Sequence, residues 1–527
     1  MSTINFLRFA CCPALLAALL TTAAFAQDEF GAEDTPSQNP FEQANAALEN
    51  EEWDKATDMY TQILNAATAQ RDTLAEAAAY IGRGQAWAGL ELYQQALDDF
   101  RKADDLTNSA DPKKKALRAE LQYQRGKMYL DMGSQFIGAA LPDLQAAHNS
   151  NRTHLPYVFA LGKAYALGSP YQAGFGEQAE PLLTEYLDEN PNDAEALRLR
   201  GTAYASMNEV EDAFADLNRS VELDSNDYQT YSTMGTLHIA EQQYPEAIEA
   251  IKKAIEVYEP QKGQEDVPFA QGYITLAVVY EEIGKTADDK AEREAALTDS
   301  IKSGDELLDL LPESHDYDNV RSEVYYHQGL AHRFLEEYGQ AVKALGESIN
   351  LNPEKGEAYF RRAICFVNMG EYELALRDLT DTQSLNFEDA RAYLWQGITY
   401  AKMGKYREAI RAYNTAISFS NRYADAYRNR AHAYFQLGEF DSAIDSFNEC
   451  IRLDFENASN YYKRGLCYDN LGKPDEAAKS YINAIRFDEQ FAAAYDRLIP
   501  LLEQQGQADL AEQYRAKRAT LSTSAGA

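Results

Sequence analysis

Small residues punctuate the second half of this chain at a fixed interval: Gly329, Ala363, Gly397, Ala431 and Gly465 stand 34 residues apart. An alanine follows each by twelve positions, at Ala341, Ala375, Ala409, Ala443 and Ala477. A ring follows each by three, at His332, Phe366, Tyr400, Tyr434 and Tyr468, and a glycine (Gly370, Gly404, Gly438, Gly472) turns the chain in four of the five units. Two helices cross closely only where both present a small side chain. Each unit is therefore predicted to be a helical hairpin, with Gly or Ala at the crossing in its first helix and Ala in its second. The rings are predicted to fill the wedge beside the crossing, and the glycine to let the chain reverse within a few residues. A period held over five units specifies one hairpin repeated, each burying its apolar face on its neighbours instead of in one large core.

The stretch from Ala424 to Ile444, Ala-Asp-Ala-Tyr-Arg-Asn-Arg-Ala-His-Ala-Tyr-Phe-Gln-Leu-Gly-Glu-Phe-Asp-Ser-Ala-Ile, resembles the tetratricopeptide repeat (TPR) almost throughout. The same signature recurs with looser spacing at Ala44/Ala56, Gly84/Ala96, Gly126/Ala140, Gly162/Ala179, Gly201/Ala213, Gly235/Ala247 and Ala277, so the resemblance covers residues 37 to 515. It implies an all-α fold, a right-handed TPR superhelix (α-solenoid) of about 12–13 helix-turn-helix repeats. Residues 37–320 read as an irregular array with inserts near 169–175 and 281–317, and 322–491 as a regular one. Residues 492–519 are expected to cap the stack, with a final helix from Glu503 to Arg518, and 520–527 to form a disordered tail.

Residues 1–26 carry one charged side chain, Arg8, then an apolar run through Leu15–Leu16 and Leu19–Leu20, and end in Ala24-Phe25-Ala26. That is the pattern of a secretory signal cleaved before Gln27, and it predicts an exported protein, periplasmic or secreted, with no membrane insertion once the signal is removed. Residues 27–36 read as an acidic linker.

The net charge is −35, unevenly distributed. Residues 27–389 hold 30 Lys+Arg against 67 Asp+Glu, whereas 390–527 hold 18 against 17. Such a front argues against nucleic acid and anionic membrane as partners. It suits either a basic partner or, more simply, a surface that keeps an exported protein soluble.

No constellation of catalytic or metal-ligating residues emerges, and neither enzymatic activity nor a cofactor is expected. Gly284-Lys285-Thr286 lacks the leading glycine of a phosphate loop, since Val279 occupies that place. His327 and His332 lie on different sides of a helix, without Cys or carboxylate neighbours at metal spacing. Of the cysteines beyond the signal, Cys450 and Cys467 fall at small-residue slots of facing helices. They would form a disulfide if their Cα atoms came within about 7 Å; buried free thiols acting as small apolar residues are the favoured reading.

What remains is recognition. The resemblance implies that first helices line a concave groove, with side chains three before, one after and four after the small residue pointing into it. These are Tyr326, Leu330 and Arg333; Phe360, Ile364 and Val367; Leu394, Ile398 and Ala401; Arg428, His432 and Phe435; and Tyr462, Leu466 and Asp469. The equivalents around Gly201 and Gly235, among them Arg198, Thr202, Ser232 and Thr236, are smaller or more polar. Either the apolar row is exposed and docks a peptide or helix of another protein, or tight winding buries much of it. Arg391, Lys402 and Arg428 are candidates for gripping a carboxylate there, against the alternative of surface ion pairing with neighbours such as Asp425. The expected function is that of a protein-interaction scaffold or adaptor. The alternative is a noncatalytic subunit of an envelope-assembly, secretion or peptidoglycan-processing complex. Self-association is left open.

Overall fold

A computed structural model of the chain describes residues 39–258, 269–386 and 388–524, the side chains of the last three excepted. The signal and linker readings for residues 1–36 fall outside them. The described residues form 26 α-helices and no strand, arranged as helix-turn-helix hairpins of an α-solenoid.

The chain divides into two compact units, with the boundary after Val257. The first holds six hairpins, from Pro40–Glu49 and Trp53–Gln70 to Tyr228–Ala240 and Tyr244–Val257. The second holds seven, from Ala270–Thr286 and Lys290–Leu310 to Ala492–Gln504 and Ala508–Ser524. Within a unit each helix packs on its neighbours in sequence, and first helices of successive hairpins meet as well.

Local chemistry sets the helix ends. Asp72, Asp111, Asp193, Asp227, Asp289 and Asp389 each cap the helix that follows by accepting from its first free backbone N–H groups. In the regular hairpins the turn residue has a left-handed backbone, φ 75° at Gly404 and 74° at Gly438, where glycine carries no Cβ penalty. The unit without that glycine puts Glu336 there, at φ 61°.

The small-residue crossing is present, but the wedge is filled from the other helix. Beneath Gly329, Gly397 and Gly465 lie Leu345, Tyr413 and Tyr481, so close that a Cβ on any of these glycines would strike them. Leu345, Leu379, Tyr413, Phe447 and Tyr481 are all but completely buried and, like the small residues, stand 34 apart. The rings at Phe366, Tyr400, Tyr434 and Tyr468, expected to occupy the wedge, are only half-buried at its edge. A side chain reaching across from the second helix meets the crossing head on, whereas one a turn further along the same helix projects past it.

Two other expectations are corrected. The 281–317 segment is not an insert but the greater part of a hairpin formed by Ala270–Thr286 and Lys290–Leu310: Gly284, which opens the stretch that resembles the end of a phosphate loop, makes its crossing by packing on Leu297, the role assigned to Ala277. The final helix is Ala508–Ser524, which continues through residues expected to be disordered, and Glu503 belongs to the preceding helix. The insert near 169–175 is the turn between Leu155–Gly168 and Phe175–Glu189, and it holds Tyr171 four-fifths exposed.

Candidate first-helix groove

The row of groove residues divides in two. Leu330, Phe360, Ile364, Val367 and Leu394 are buried, each at most 7% exposed. They serve packing between repeats, so over its first half the apolar row follows the alternative in which tight winding buries it. Tyr326, Arg333, Ile398, Ala401, Arg428, His432, Phe435, Tyr462, Leu466 and Asp469 are half-buried and present part of their surface. Of these, Tyr462 stacks edge-on to Phe491, Phe435 to Phe440, and Asp469 accepts the Tyr481 hydroxyl, so each is also held by its own repeat or the next. Arg198, in the more polar stretch, is buried on Asp227 at 3.1 Å.

Of the three candidate cations, Arg391 and Arg428 follow the ion-pairing alternative. Arg391 is already neutralised: it chelates Asp389 and bonds to Glu357, the carboxylate of the previous hairpin, at 2.9 Å, and these bonds raise its pKa further. Lys402 is exposed at the end of its helix. Arg428 bonds to Asp425 at 2.6 Å and lies 3.9 Å from Asp454.

Two clusters of cations stand out instead, each between the first helices of neighbouring hairpins. In the first, burial lowers the Arg333 pKa and the nearby Arg361 guanidinium lowers it further. The Arg333 and Arg361 Nε atoms are both buried without a hydrogen-bond partner. Arg361 reaches the Tyr326 hydroxyl and bonds to Glu357 at 2.6 Å, whereas Arg333 lies 4.2 Å over the Phe334 ring and pairs with no carboxylate among the described residues. In the second, Lys463 Nζ sits 2.8 Å from His432 Nε2. Burial, then Lys463 and Arg428, push the His432 pKa down to about 4. The imidazole is therefore neutral near pH 7 and accepts from the ammonium. Burial and Arg428 lower the Lys463 pKa in turn, and Lys463 has no carboxylate within ion-pair reach among the described residues.

Arg361 and Lys463 were absent from the groove row because they lie two, not three, positions before the small residue. A signal was available: they are separated by 102 residues, three periods of the repeat. His327 and His332 bond to Glu281 and Glu337 at 2.9 and 2.7 Å, and no group of side chains suited to a metal occurs among the described residues. Cys365, Cys450 and Cys467 are buried and free. The weighed disulfide does not form: Cys467 packs beside Ala443, Ile444 and Phe447, while Cys450 is further along that helix, with its thiol on the Ala424 carbonyl. No helix among the described residues is long and apolar enough to cross a membrane.

Repeated hairpins with a small-residue crossing define the class: parts of the chain are recognised as tetratricopeptide repeats, a scaffold that generally mediates protein–protein interaction. Models of this repeat match residues 170–228 and 326–381, 397–438, 424–457 and 458–491. A model of anaphase-promoting complex subunit 5 matches 200–277. Similar solved structures include a MamA protein, 25% identical over 33% of this chain and 94% of its own, with a TM-score of 0.31. A tetratricopeptide repeat protein from Parabacteroides merdae is 19% identical over 52% of this chain and 98% of its own, with a TM-score of 0.37. The APC/C hetero-tetramer Cut9-Hcn1 is 15% identical over 91% and 92%, with a TM-score of 0.36. No curated protein matches the sequence.

Proposed function

We propose that this chain is a noncatalytic scaffold that holds an acidic segment of a partner protein along the first-helix face of residues 322–491. The observation that carries the reading is the pair of under-neutralised cation clusters, Tyr326–Arg333–Arg361 and Arg428–His432–Lys463, in a protein of net charge −35. Half-burying a cation without a counter-charge is costly, and a partner carboxylate would restore the balance through charge-assisted hydrogen bonds. Ile398 and Leu466, half-buried on the same row, would offer apolar contact beside them. Chemically, the arrangement binds and orients.

The test is cross-linked capture in the native cell with the intact chain and with R333Q/K463Q, which removes both charges without altering the hairpin crossings. The expected result is specific loss of a defined partner set from the folded variant. Retention of every partner would exclude this face.

The match to an anaphase-promoting complex subunit over residues 200–277 favours a second reading, a structural subunit of a larger assembly. It predicts co-elution of the chain with fixed stoichiometric companions. Export, to the periplasm or beyond, is part of the proposal and rests on residues 1–26 alone. N-terminal sequencing of the mature protein should begin at Gln27.

A further inference from the structure

Away from the first-helix face, the residue immediately before the small crossing residue is repeatedly arginine. In four hairpins this guanidinium is neutralised internally. Arg83 chelates Asp99 at 2.7 and 2.9 Å, Arg125 chelates Asp143 at 2.6 and 2.7 Å, Arg200 chelates Asp216 at 2.6 and 2.9 Å, and Arg362 chelates Asp378 at 2.8 and 2.9 Å. In each case the aspartate lies on the second helix of the same hairpin and is nearly buried.

Two consecutive hairpins break this rule in the same way. Opposite Arg430 and Arg464 stand Ser446 and Ser480, both 1% exposed. Arg430 donates through Nε to Ser446 Oγ at 3.1 Å and through Nη1 to Asn414 Oδ1 at 2.7 Å. Arg464 repeats this with Ser480 at 3.3 Å and Asn448 at 2.7 Å. Each guanidinium also lies over a ring, 5.1 Å from Tyr427 and 5.4 Å from Tyr461. All these partners are neutral, and neither arginine has a carboxylate within ion-pair distance among the described residues. Burial depresses the Arg464 pKa, as expected of a cation without a counter-ion. Serine bears a single hydroxyl on Cβ where aspartate bears a two-oxygen carboxylate, so it meets Nε alone and offers nothing to Nη2, which the second carboxylate oxygen binds in the other four hairpins. The guanidinium remains held by ring, hydroxyl and amide, with Nη2 unbonded.

We propose that Arg430 and Arg464 form a two-pronged carboxylate receptor that docks an acidic helix of a partner protein. The helix Phe440–Leu453 supplies Ser446 to one prong and Asn448 to the other, so the prongs flank a single helix and are separated by roughly its width, about 10 Å. On a ligand helix, residues seven apart share a face and lie about 10.5 Å apart at 1.5 Å per residue. On an extended strand, residues three apart span a similar distance but point to opposite sides. Helical presentation of two carboxylates at i and i+7 therefore fits both prongs. This site is separate from the first-helix groove and does not depend on it.

The test uses a fluorescein-labelled, alanine-rich helical peptide with Glu at i and i+7, and its Gln counterpart, titrated by fluorescence anisotropy against the intact chain at low salt. The Glu peptide should bind at least about tenfold more tightly, since charge-assisted hydrogen bonds are roughly twice as strong as neutral ones. In S446D/S480D, which installs the internal pairing of the other four hairpins, that preference should disappear while the unfolding midpoint holds or rises. A control variant, S418D/Q490D, adds the same negative charge at exposed positions and should retain the preference. Equal affinity for the two peptides, no binding of either, or equal loss in both variants would overturn the receptor. None of these outcomes bears on the R333Q/K463Q capture result.

Discussion

Gly465→Ala tests whether the crossing is set by contact geometry. An ideal Cβ at Gly465 would lie 2.5, 2.8 and 3.0 Å from Tyr481 Cε1, Cδ1 and Cζ, well inside contact distance. The ring has nowhere to go: Tyr481 is 0% exposed and its hydroxyl is bound to Asp469. Overpacking of a filled core costs about 1–3 kcal/mol, and a pinned ring places this site toward the upper end. Replacing a mid-helix glycine by alanine returns about 1 kcal/mol. The net expectation is a loss of about 1–2 kcal/mol, opposite in sign to the propensity change alone. The adjacent hairpin supplies the control, because Ala431 stands over Phe447, a ring without the hydroxyl. In a Tyr481→Phe background the ring is released from Asp469, and Gly465→Ala should cost at least about 1 kcal/mol less, a coupling resolvable by a double-mutant cycle. Because solenoids unfold in pieces, the assay is urea denaturation paired with native-state hydrogen exchange over residues 458–487. A Gly465→Ala protein at least as stable as its parent, or additive single substitutions, would refute steric control of the crossing.

Four further outcomes follow from the same geometry. Glu336→Gly should stabilise the array by about 1 kcal/mol, because it relieves a left-handed backbone at φ 61° that its neighbours assign to glycine; the urea midpoint reads this directly. Arg362→Met should cost about 3 kcal/mol by leaving Asp378, 3% exposed, without its counter-ion, while R362M/D378L should be close to neutral in the same denaturation experiment. His432 has a folded pKa of about 4 against about 6.5 when unfolded. The unfolded state binds more protons between those values, so stability falls as pH drops from 6.5 to 4, by about 2 kcal/mol after allowance for partial exposure, and His432→Asn should remove that component of the pH profile. Burial raises the Cys365 thiol to about 11 and Cys450 and Cys467 to about 12, so iodoacetamide at pH 8 should label them only after denaturant is added.

Much of the site was legible only in outline. The row from Tyr326 to Asp469 is what the tetratricopeptide resemblance implies for positions within one hairpin. It could not separate Phe360, which is 2% exposed, from Tyr462, which is half-buried, because that difference depends on how closely the next hairpin approaches. Nor could it show that Arg391 is chelated by Glu357 and Asp389 while Lys463 faces a neutral histidine.

The amino-acid sequence by itself determined the hairpin, its period and its crossing, because each depends on side-chain size at positions a fixed distance apart along one strand of chain. Gly465, Ala477 and the turn at Gly472 are such positions. The tertiary structure alone decided which charges are balanced. Arg362 and Arg464 occupy the same place in the repeat, yet one meets Asp378 and the other meets Ser480 and Asn448. The pairing across the hairpin can be read from a 16-residue offset once the packing is known, but the third wall comes from the preceding hairpin. Electrostatic balance depends on every group within a few ångströms of a charge, and only the stacked array brings those groups together.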